Sequence, residues 1–341
     1  MSKFAARITA VLLCCLGLVG CQRSMQPTQA KTDRYSQTWM QMDTVVTLQA
    51  YCLSDEQFQV VVSEIQQEME RLQLIFDFDD EKSELSGFNT AANRSEVTVS
   101  KELADLTAWC LARQDSGGTN VAMGRLIRLW QTASQNGKPP EQQDVTEALK
   151  HSDLSSVHIE GNSLTLTDAQ AALHFGAVAK GYIADRASKI LDKHKITDYL
   201  LDCGSSTMIC KGKPQGKNGW VIGVRNPNAM LPLAEGNREE LIGTVSLSNM
   251  TLGVSGDYQR YFEYNGVYYT HIIRPDTGYP ARYYRTVCVM AGDATTSDYY
   301  STALYALPYE QSAALAKKAG VEALWVFPDG TMKHTAGFIV N

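Results

Sequence analysis

The sequence predicts an α+β fold in which mixed sheets pack against helices. Three observations carry that expectation. Thr44–Tyr51 is rich in β-branched residues and reads as a strand, and a helix-start signal follows it directly. Tyr258–Ile273 is dense in aromatic and β-branched residues around Asn265-Gly266, a dipeptide suited to a tight hairpin turn. Between these, strand-like and helical stretches mix without the regular βαβ alternation of a doubly wound sheet.

Each element has a local reason. Ser54 with Gln57 three residues later forms a capping-box signature. Behind it Phe58, Val61, Val62, Ile65, Met69 and Leu72 keep helical spacing, which predicts an amphipathic helix from Asp55 to about Leu74. Ser100 stands where it can cap a second helix whose inner face carries Leu103, Leu106, Cys110 and Leu111. Leu164–Thr167 alternates as a short strand. Gly181–His194 places Ile183, Ala187, Ile190 and Leu191 on one helical stripe. Tyr199–Cys203 and Trp220–Arg225 read as strands. Pro308–Lys318 reads as a helix, and Leu324–Phe327, Pro328-Asp329-Gly330 and Thr331 as a closing hairpin. Gln135–Gln143 reads as a surface loop.

Composition narrows the class. The 341 residues are 44% hydrophobic and 20% charged, enough apolar content for one large or two medium cores and too much for a disordered chain. Gly and Pro are ordinary and no heptad run persists, which excludes collagen, coiled coil and low-complexity fibre, and no internal repeat appears. The net charge is −6 with no basic tract, so nucleic acid is not an expected partner.

The N-terminus reads as an address. Met1–Arg7 is basic and Ile8–Gly20 is apolar apart from Thr9. That run is shorter than the roughly 20 residues needed to span a bilayer, so residues 1–20 are expected to be a signal peptide. It ends in Leu18-Val19-Gly20-Cys21, which resembles the bacterial lipobox, with Cys21 lipidated. Residues 21–38 are polar, contain Pro27 and read as a flexible tether. Residues 39–341 then form one domain, expected to be lipid-anchored to the outer face of the bacterial cytoplasmic membrane. Five cysteines remain after Cys21, none in a Cys-x-x-Cys pair, and they read as small buried hydrophobes, with one disulfide left open.

Three segments carry candidate chemistry. His174-Phe-Gly-Ala-Val-Ala-Lys-Gly-Tyr182 is a glycine-rich approach to a helix N-terminus, where backbone N–H groups favour phosphate, with Lys180 as an added charge. The same pattern also suits tight strand-to-helix packing. Ser255-Gly256-Asp257-Tyr258 reads as a turn with exposed donors, and His271 as a base, a phosphate donor or an ordinary strand residue. Asp276-Thr277-Gly278 is a turn. Asp298 and Thr302 share a helix face, and a carboxylate with a hydroxyl suits a hard cation such as Mg²⁺. Spacing alone equally allows Ser297 or Asp298 to cap that helix.

In order along the chain, Met42-Asp-Thr44, Ser83-Glu-Leu85, Gly117-Gly-Thr-Asn120, Gly176–Tyr182, Ser255–Tyr258, His271-Ile-Ile273, Asp276-Thr-Gly278 and Asp298-x-x-x-Thr302 resemble the ApbE family of flavin transferases. The resemblance runs from Met42 to about Leu307. It implies an ApbE-like fold and an FAD:protein FMN transferase. Such an enzyme takes FAD as substrate, uses Mg²⁺, and moves the FMN half to a Thr or Ser hydroxyl of an exported flavin-accepting redox protein, releasing AMP. By position it implies Asp298, Thr302 and the Ala177 carbonyl as metal ligands. Met42, Phe78, Gly118, Thr119, Asn120, His174, Lys180 and Ile272 correspond to FAD contacts, and His271 and Asp257 to polar groups near the reacting phosphate. Of these two, His271 is the expected base and Asp257 its alternate. His174 and Asn120 stand where many members carry Asp. Two other readings stay open: an FAD pyrophosphatase yielding FMN and AMP, and a non-catalytic flavin-binding lipoprotein.

Overall fold

The computed structural model describes residues 32–230 and 240–341. The signal segment, Cys21 and the tether up to residue 31 lie outside the described residues. Asp33–Gln41 (β1) and Thr44–Cys52 (β2) form an antiparallel hairpin. Residues 33–38, expected to be tether, are therefore strand. Their polar side chains lie on a sheet edge with one face open to solvent, a position that needs backbone pairing but little apolar content. Met42 and Asp43 form the two-residue turn with φ of 53° and 54°, the left-handed values such hairpins require.

The first helix, Asp55–Phe76 (α1), starts as expected. The Gln57 N–H donates to Ser54 Oγ at 3.1 Å, and Gln57 Oε1 reaches back to accept the Leu53 N–H at 2.9 Å. Glu84–Thr90 (α2), Val97–Thr98 (β3), Lys101–Leu111 (α3), Gly124–Asn136 (α4) and Gln142–Lys150 (α5) follow. Next come Val157–Glu160 (β4), Ser163–Leu166 (β5), Ala179–Lys193 (α6), Tyr199–Cys203 (β6) and Thr207–Lys211 (β7). Then Trp220–Arg225 (β8), Pro227–Met230 (α7), Leu241–Leu247 (β9), Met250–Gly256 (β10), Tyr261–Tyr264 (β11) and Val267–Thr270 (β12). The last are Thr286–Ala291 (β13), Ala294–Tyr305 (α8), Tyr309–Ala319 (α9), Glu322–Val326 (β14) and Met332–His334 (β15). Ser255 and Gly256 belong to β10, so the turn expected there begins only at Asp257.

Among the described residues the main sheet has the order β1-β2-β6-β7-β10-β13-β14-β15, and its pairs are antiparallel. Residues along β13 alternate between two cores, as strand geometry dictates. Val287, Val289 and Ala291 join the large core under α1, α6 and α8; Cys288 and Met290 join a second core beneath the β8–β9 ribbon. A third cluster packs α4 and α5 against the β11–β12 hairpin, with the rings of Trp130 and Tyr269 stacked at 5.7 Å. Cys52, Cys110, Cys203, Cys210 and Cys288 are buried free thiols, so no bridge forms among them.

Helix α8 lies at the centre, against α6, β10 and β13. All its residues except Thr296 and Thr302 are buried, which explains why its sequence shows no apolar stripe. Glycines permit that depth. A Cβ at Gly118 would sit 2.1 Å from the Ala303 carbonyl oxygen, one at Gly181 2.3 Å from that of Ala294, and one at Gly253 2.1 Å from that of Ser297. Overpacking of this kind costs about 1–3 kcal/mol. Gly253→Ala is therefore expected to lower the unfolding free energy by that amount, seen as a lower urea midpoint with the slope unchanged. A midpoint equal to the parent's would show that α8 is not held this tightly.

Candidate active site

One cavity of about 1570 Å³ opens between the β1–β2 turn, the glycine-rich loop before α6, the β6–β7 turn, β8 and the chain around Tyr258–Phe262. It is larger than the roughly 300–1,000 Å³ of ordinary small-molecule pockets, so it has room for a ligand as large as a dinucleotide. Met42, Phe78, Gly118, Thr119 and Asn120 line it, as do His174, Ala177, Lys180, His271, Ile272 and Thr302. Residues spread over most of the sequence therefore converge.

The α8 face is built from both sides. Asp293 caps the helix, accepting the Thr296 N–H at 2.8 Å, so neither Ser297 nor Asp298 is needed as a cap. Asp298 sits one turn before Thr302, buried just behind the cavity wall. Its Oδ2 accepts the Gly181 N–H at 2.9 Å and its Oδ1 accepts the Thr207 hydroxyl at 3.1 Å. Burial raises its pKa, opposed first by the charge of Lys180 and then by those two bonds. Thr302 Oγ1 lies 3.3 Å from Ser255 Oγ. Asp185 on α6 accepts the N–H groups of Ala294 and Thr295, both at 2.8 Å, and so ties the two helices at the start of α8.

These residues can hold a hard cation. A buried carboxylate, a hydroxyl at the cavity and the Ala177 carbonyl in the adjoining loop supply oxygen donors only, the set Mg²⁺ takes alongside water and phosphate. Among the described residues no group of three or more His, Cys, Asp or Glu side chains could hold a metal, so an all-side-chain cage is absent there. The raised pKa of Asp298 fits the same view, since a neighbouring cation favours the carboxylate that burial disfavours.

His271 follows β12 directly. Its backbone N–H donates to the Arg260 carbonyl at 3.2 Å, and its ring Nδ1 lies 3.1 Å from the same oxygen. A carbonyl can only accept, so Nδ1 carries the proton and Nε2 keeps its lone pair. Burial pushes the imidazole pKa down to about 4, the Arg260 contact opposes this, and Lys180, Arg260 and His174 depress it further. The ring is nonetheless exposed to the cavity, and water there offsets part of the effect, which places the group between about 4 and its ordinary 6.5. It is neutral at pH 7 either way.

The other expected contacts separate into two kinds. Phe78 meets His174 edge-on, ring centroids 4.9 Å apart, while Arg128 lies over Phe78 at 4.3 Å. His174 also accepts the Gly176 N–H through Nδ1 at 3.3 Å, and burial lowers its pKa to about 4, so it is a neutral loop-shaping residue where an anion is commoner. The Asn120 amide is occupied within the fold, donating to the Ser152 carbonyl at 2.5 Å and accepting the Ala122 N–H at 2.7 Å. Met42 is held by its N–H to Gln73 Oε1 at 3.3 Å.

Asp257 departs from expectation. It does not line the main cavity but a separate one of about 320 Å³, where it pairs with Arg285 at 2.7 Å. Burial raises its pKa to about 6 despite that partner. An ion-paired carboxylate turned away from the cavity is not a candidate base there. Thr207, Asp185 and the Arg260 carbonyl were not anticipated from sequence. Their roles depend on distant chain crossings, and only the position of Asp185 one turn beyond Gly181 on a helix offered a local signal.

The chain matches the family model described as "ApbE family" over residues 42–325. It is 28% identical to the FAD:protein FMN transferase of Treponema pallidum over 97% of this chain and 93% of that one. A Haemophilus influenzae protein of the same name is 30% identical, covering 69% of each chain. The crystal structure of the ApbE protein from Thermotoga maritima superposes with a TM-score of 0.78 and 27% identity, over 89% of this chain and 97% of that one. The flavin transferase ApbE from Vibrio cholerae, at 21% identity and a TM-score of 0.76, shares the fold. With its cavity, its α8 pair and its glycine-rich loop in the family's order, the chain belongs to the ApbE family.

Proposed function

We propose that this protein is an Mg²⁺-dependent FAD:protein FMN transferase that joins the FMN half of FAD to a Thr or Ser hydroxyl of an exported redox protein and releases AMP. The observation that carries the reading is one large cavity lined by Ala177, Lys180, Thr302 and a neutral His271, with the Asp298 carboxyl buried just behind its wall. The names of the relatives support it. Mg²⁺, when bound, would offset the charge that develops on the pyrophosphate.

The residues divide the remaining work. Phosphoryl transfer depends on positioning and charge neutralisation more than on covalent help. The Lys180 ammonium supplies positive charge to the anion, while the Ala179 and Gly181 N–H groups are taken by the Phe175 carbonyl and Asp298. The acceptor oxygen forms the new bond to the FMN phosphorus, the P–O bond to AMP breaks, and AMP leaves with the electron pair. His271 Nε2, directed by its Nδ1–H to Arg260, takes the acceptor's proton. The cavity is open enough for water, so slow hydrolysis of FAD to FMN and AMP is an expected side reaction.

The reading is tested by incubating the protein with FAD, Mg²⁺ and an acceptor domain. An FMN mass increment on the acceptor supports it; free FMN and AMP with no acceptor adduct would replace it with the pyrophosphatase. Asp298→Ala is expected to abolish transfer at ordinary Mg²⁺, and a rate near the parent's throughout an Mg²⁺ titration would remove Asp298 from the metal site.

General-base help is worth about 10²–10⁴ in rate. His271→Ala should lose transfer by that order while FAD binding is kept. Because its pKa is depressed, the imidazole stays neutral as pH falls to about 6.5, and the parent's rate should fall only between there and about 4. That limb is more acid than an ordinary histidine would give. Its persistence in His271→Ala would assign it to another group.

We also propose that Cys21 carries a lipid anchoring the protein to the outer face of the bacterial cytoplasmic membrane. No helix among the described residues is long and apolar enough to span a membrane, and the proposal rests on Leu18-Val19-Gly20-Cys21. Cys21→Ser should move the protein to the soluble fraction; unchanged membrane retention would refute the anchor.

A further inference from the structure

Resting on the transferase reading, the geometry points to β8 as the docking strand for the acceptor: we propose that an extended segment of the acceptor protein pairs with the open edge of β8 and so carries its hydroxyl into the cavity. Val221, Ile222, Gly223, Val224 and Arg225 all border the cavity, although the strand alternates exposed and buried along its length. A strand that shows one face to a void contributes every second residue; consecutive residues border it when the edge is turned towards it. From β9 only Leu241 reaches the cavity. β9 lies on the other side of β8, and its own far edge is taken by backbone bonds between Thr244 and Asn341, at 3.0 and 2.9 Å. Among the described residues β8 has no partner strand on its cavity side.

The edge lacks the usual protections. Exposed edges are commonly blunted by proline, central charges or bulges that twist them away. Within β8 the outward residues are Val221, 66% exposed, and Gly223, which has no side chain; its charge and its register shift come only at the Arg225 end. Val45 at 49% and Leu241 at 42% exposure extend the apolar rim on either side. Strand addition draws affinity from main-chain bonds and specificity from alternate side chains. It therefore suits an enzyme that must hold a protein backbone while one hydroxyl reaches a phosphate. A helical segment would not serve, because its backbone groups are already bonded internally.

The test uses the purified enzyme, an acceptor domain it flavinylates, and that domain with its target Thr or Ser replaced by Ala as a non-reacting partner. Saturation with the Ala form should slow amide exchange across residues 221–225 by about tenfold or more. Val221→Asp should raise the acceptor KM by about tenfold with FAD affinity retained, whereas Val221→Thr, which keeps the β-branch, should stay within about twofold. Unchanged exchange in β8 at saturating acceptor would overturn the proposal, as would a parental acceptor KM in Val221→Asp. Protection of β8 that grows with enzyme concentration without acceptor would also overturn it, assigning the edge to a second copy of this chain. If the unmodified enzyme places no flavin on any acceptor while still releasing AMP, the transferase reading falls and takes this one with it. The first three results leave that reading intact.

Discussion

The depth at which α8 is set into the molecule governs the rest of the structure. Three chain segments approach its backbone more closely than any side chain allows, and each does so through a glycine: Gly118 from the loop before α4, Gly181 from α6 and Gly253 from β10. The consequence is functional as well as structural. Gly181 brings its N–H to Asp298, Gly118 brings Thr119 and Asn120 to the cavity, and β10 brings Ser255 to Thr302. A helix buried on nearly every side must carry small or hydrogen-bonded residues, and α8 does: Ser297 and Ser301 bond to Thr251 and Ser255 on the sheet. The polar character that hides the helix from hydropathy analysis is what lets it be central.

Electrostatics follow from that burial. Asp298 is a carboxyl group buried where water cannot solvate its charge, and Lys180 is the first of the groups that oppose the resulting rise in its pKa. Lys180 also acts on His271 across the cavity, in the opposite sense for catalysis, since a cation beside an imidazole keeps it neutral. One lysine on the first turn of α6 thus favours an ionised carboxylate on one side and an unprotonated base on the other. The Arg260 carbonyl completes the arrangement by setting which nitrogen of His271 holds the proton. Rigidity there comes from the aromatic stack of Trp130, Phe262 and Tyr269, which fixes the β11–β12 hairpin against α4, and from the Trp130 indole N–H to the Gly278 carbonyl at 2.8 Å.

Much of the fold was readable from local signals. The β2 strand, the capped α1, the cap of α3, the α6 stripe and the hairpin at Asn265-Gly266 each arise from interactions within a few residues; the first four appear within a residue or two of their expected bounds, and the hairpin strands are three residues shorter at each end. The elements that escaped reading were those whose character depends on distant partners. β1 is polar because it is an edge. α4 was not anticipated because its apolar stripe serves a small cluster shared with the hairpin; α8, which has no solvent face, showed only in the four-residue spacing of Asp298 and Thr302.

The sequence by itself determined the class of fold, the positions of the local elements and the family, because hydropathy period, caps, turn dipeptides and motif order are properties of short stretches and of their sequence along one chain. It also named several of the residues that meet at the cavity. Only the tertiary structure decided what those residues do there. It turned Asp257 away into an ion pair with Arg285, committed the Asn120 amide to its own loop, lowered the proton affinity of His271, and aimed the open edge of β8 at the cavity. Each of these outcomes depends on burial, on a charge or on a backbone group contributed by a segment far away in sequence. Such terms have no expression in local pattern, since they come into being only when the chain closes on itself.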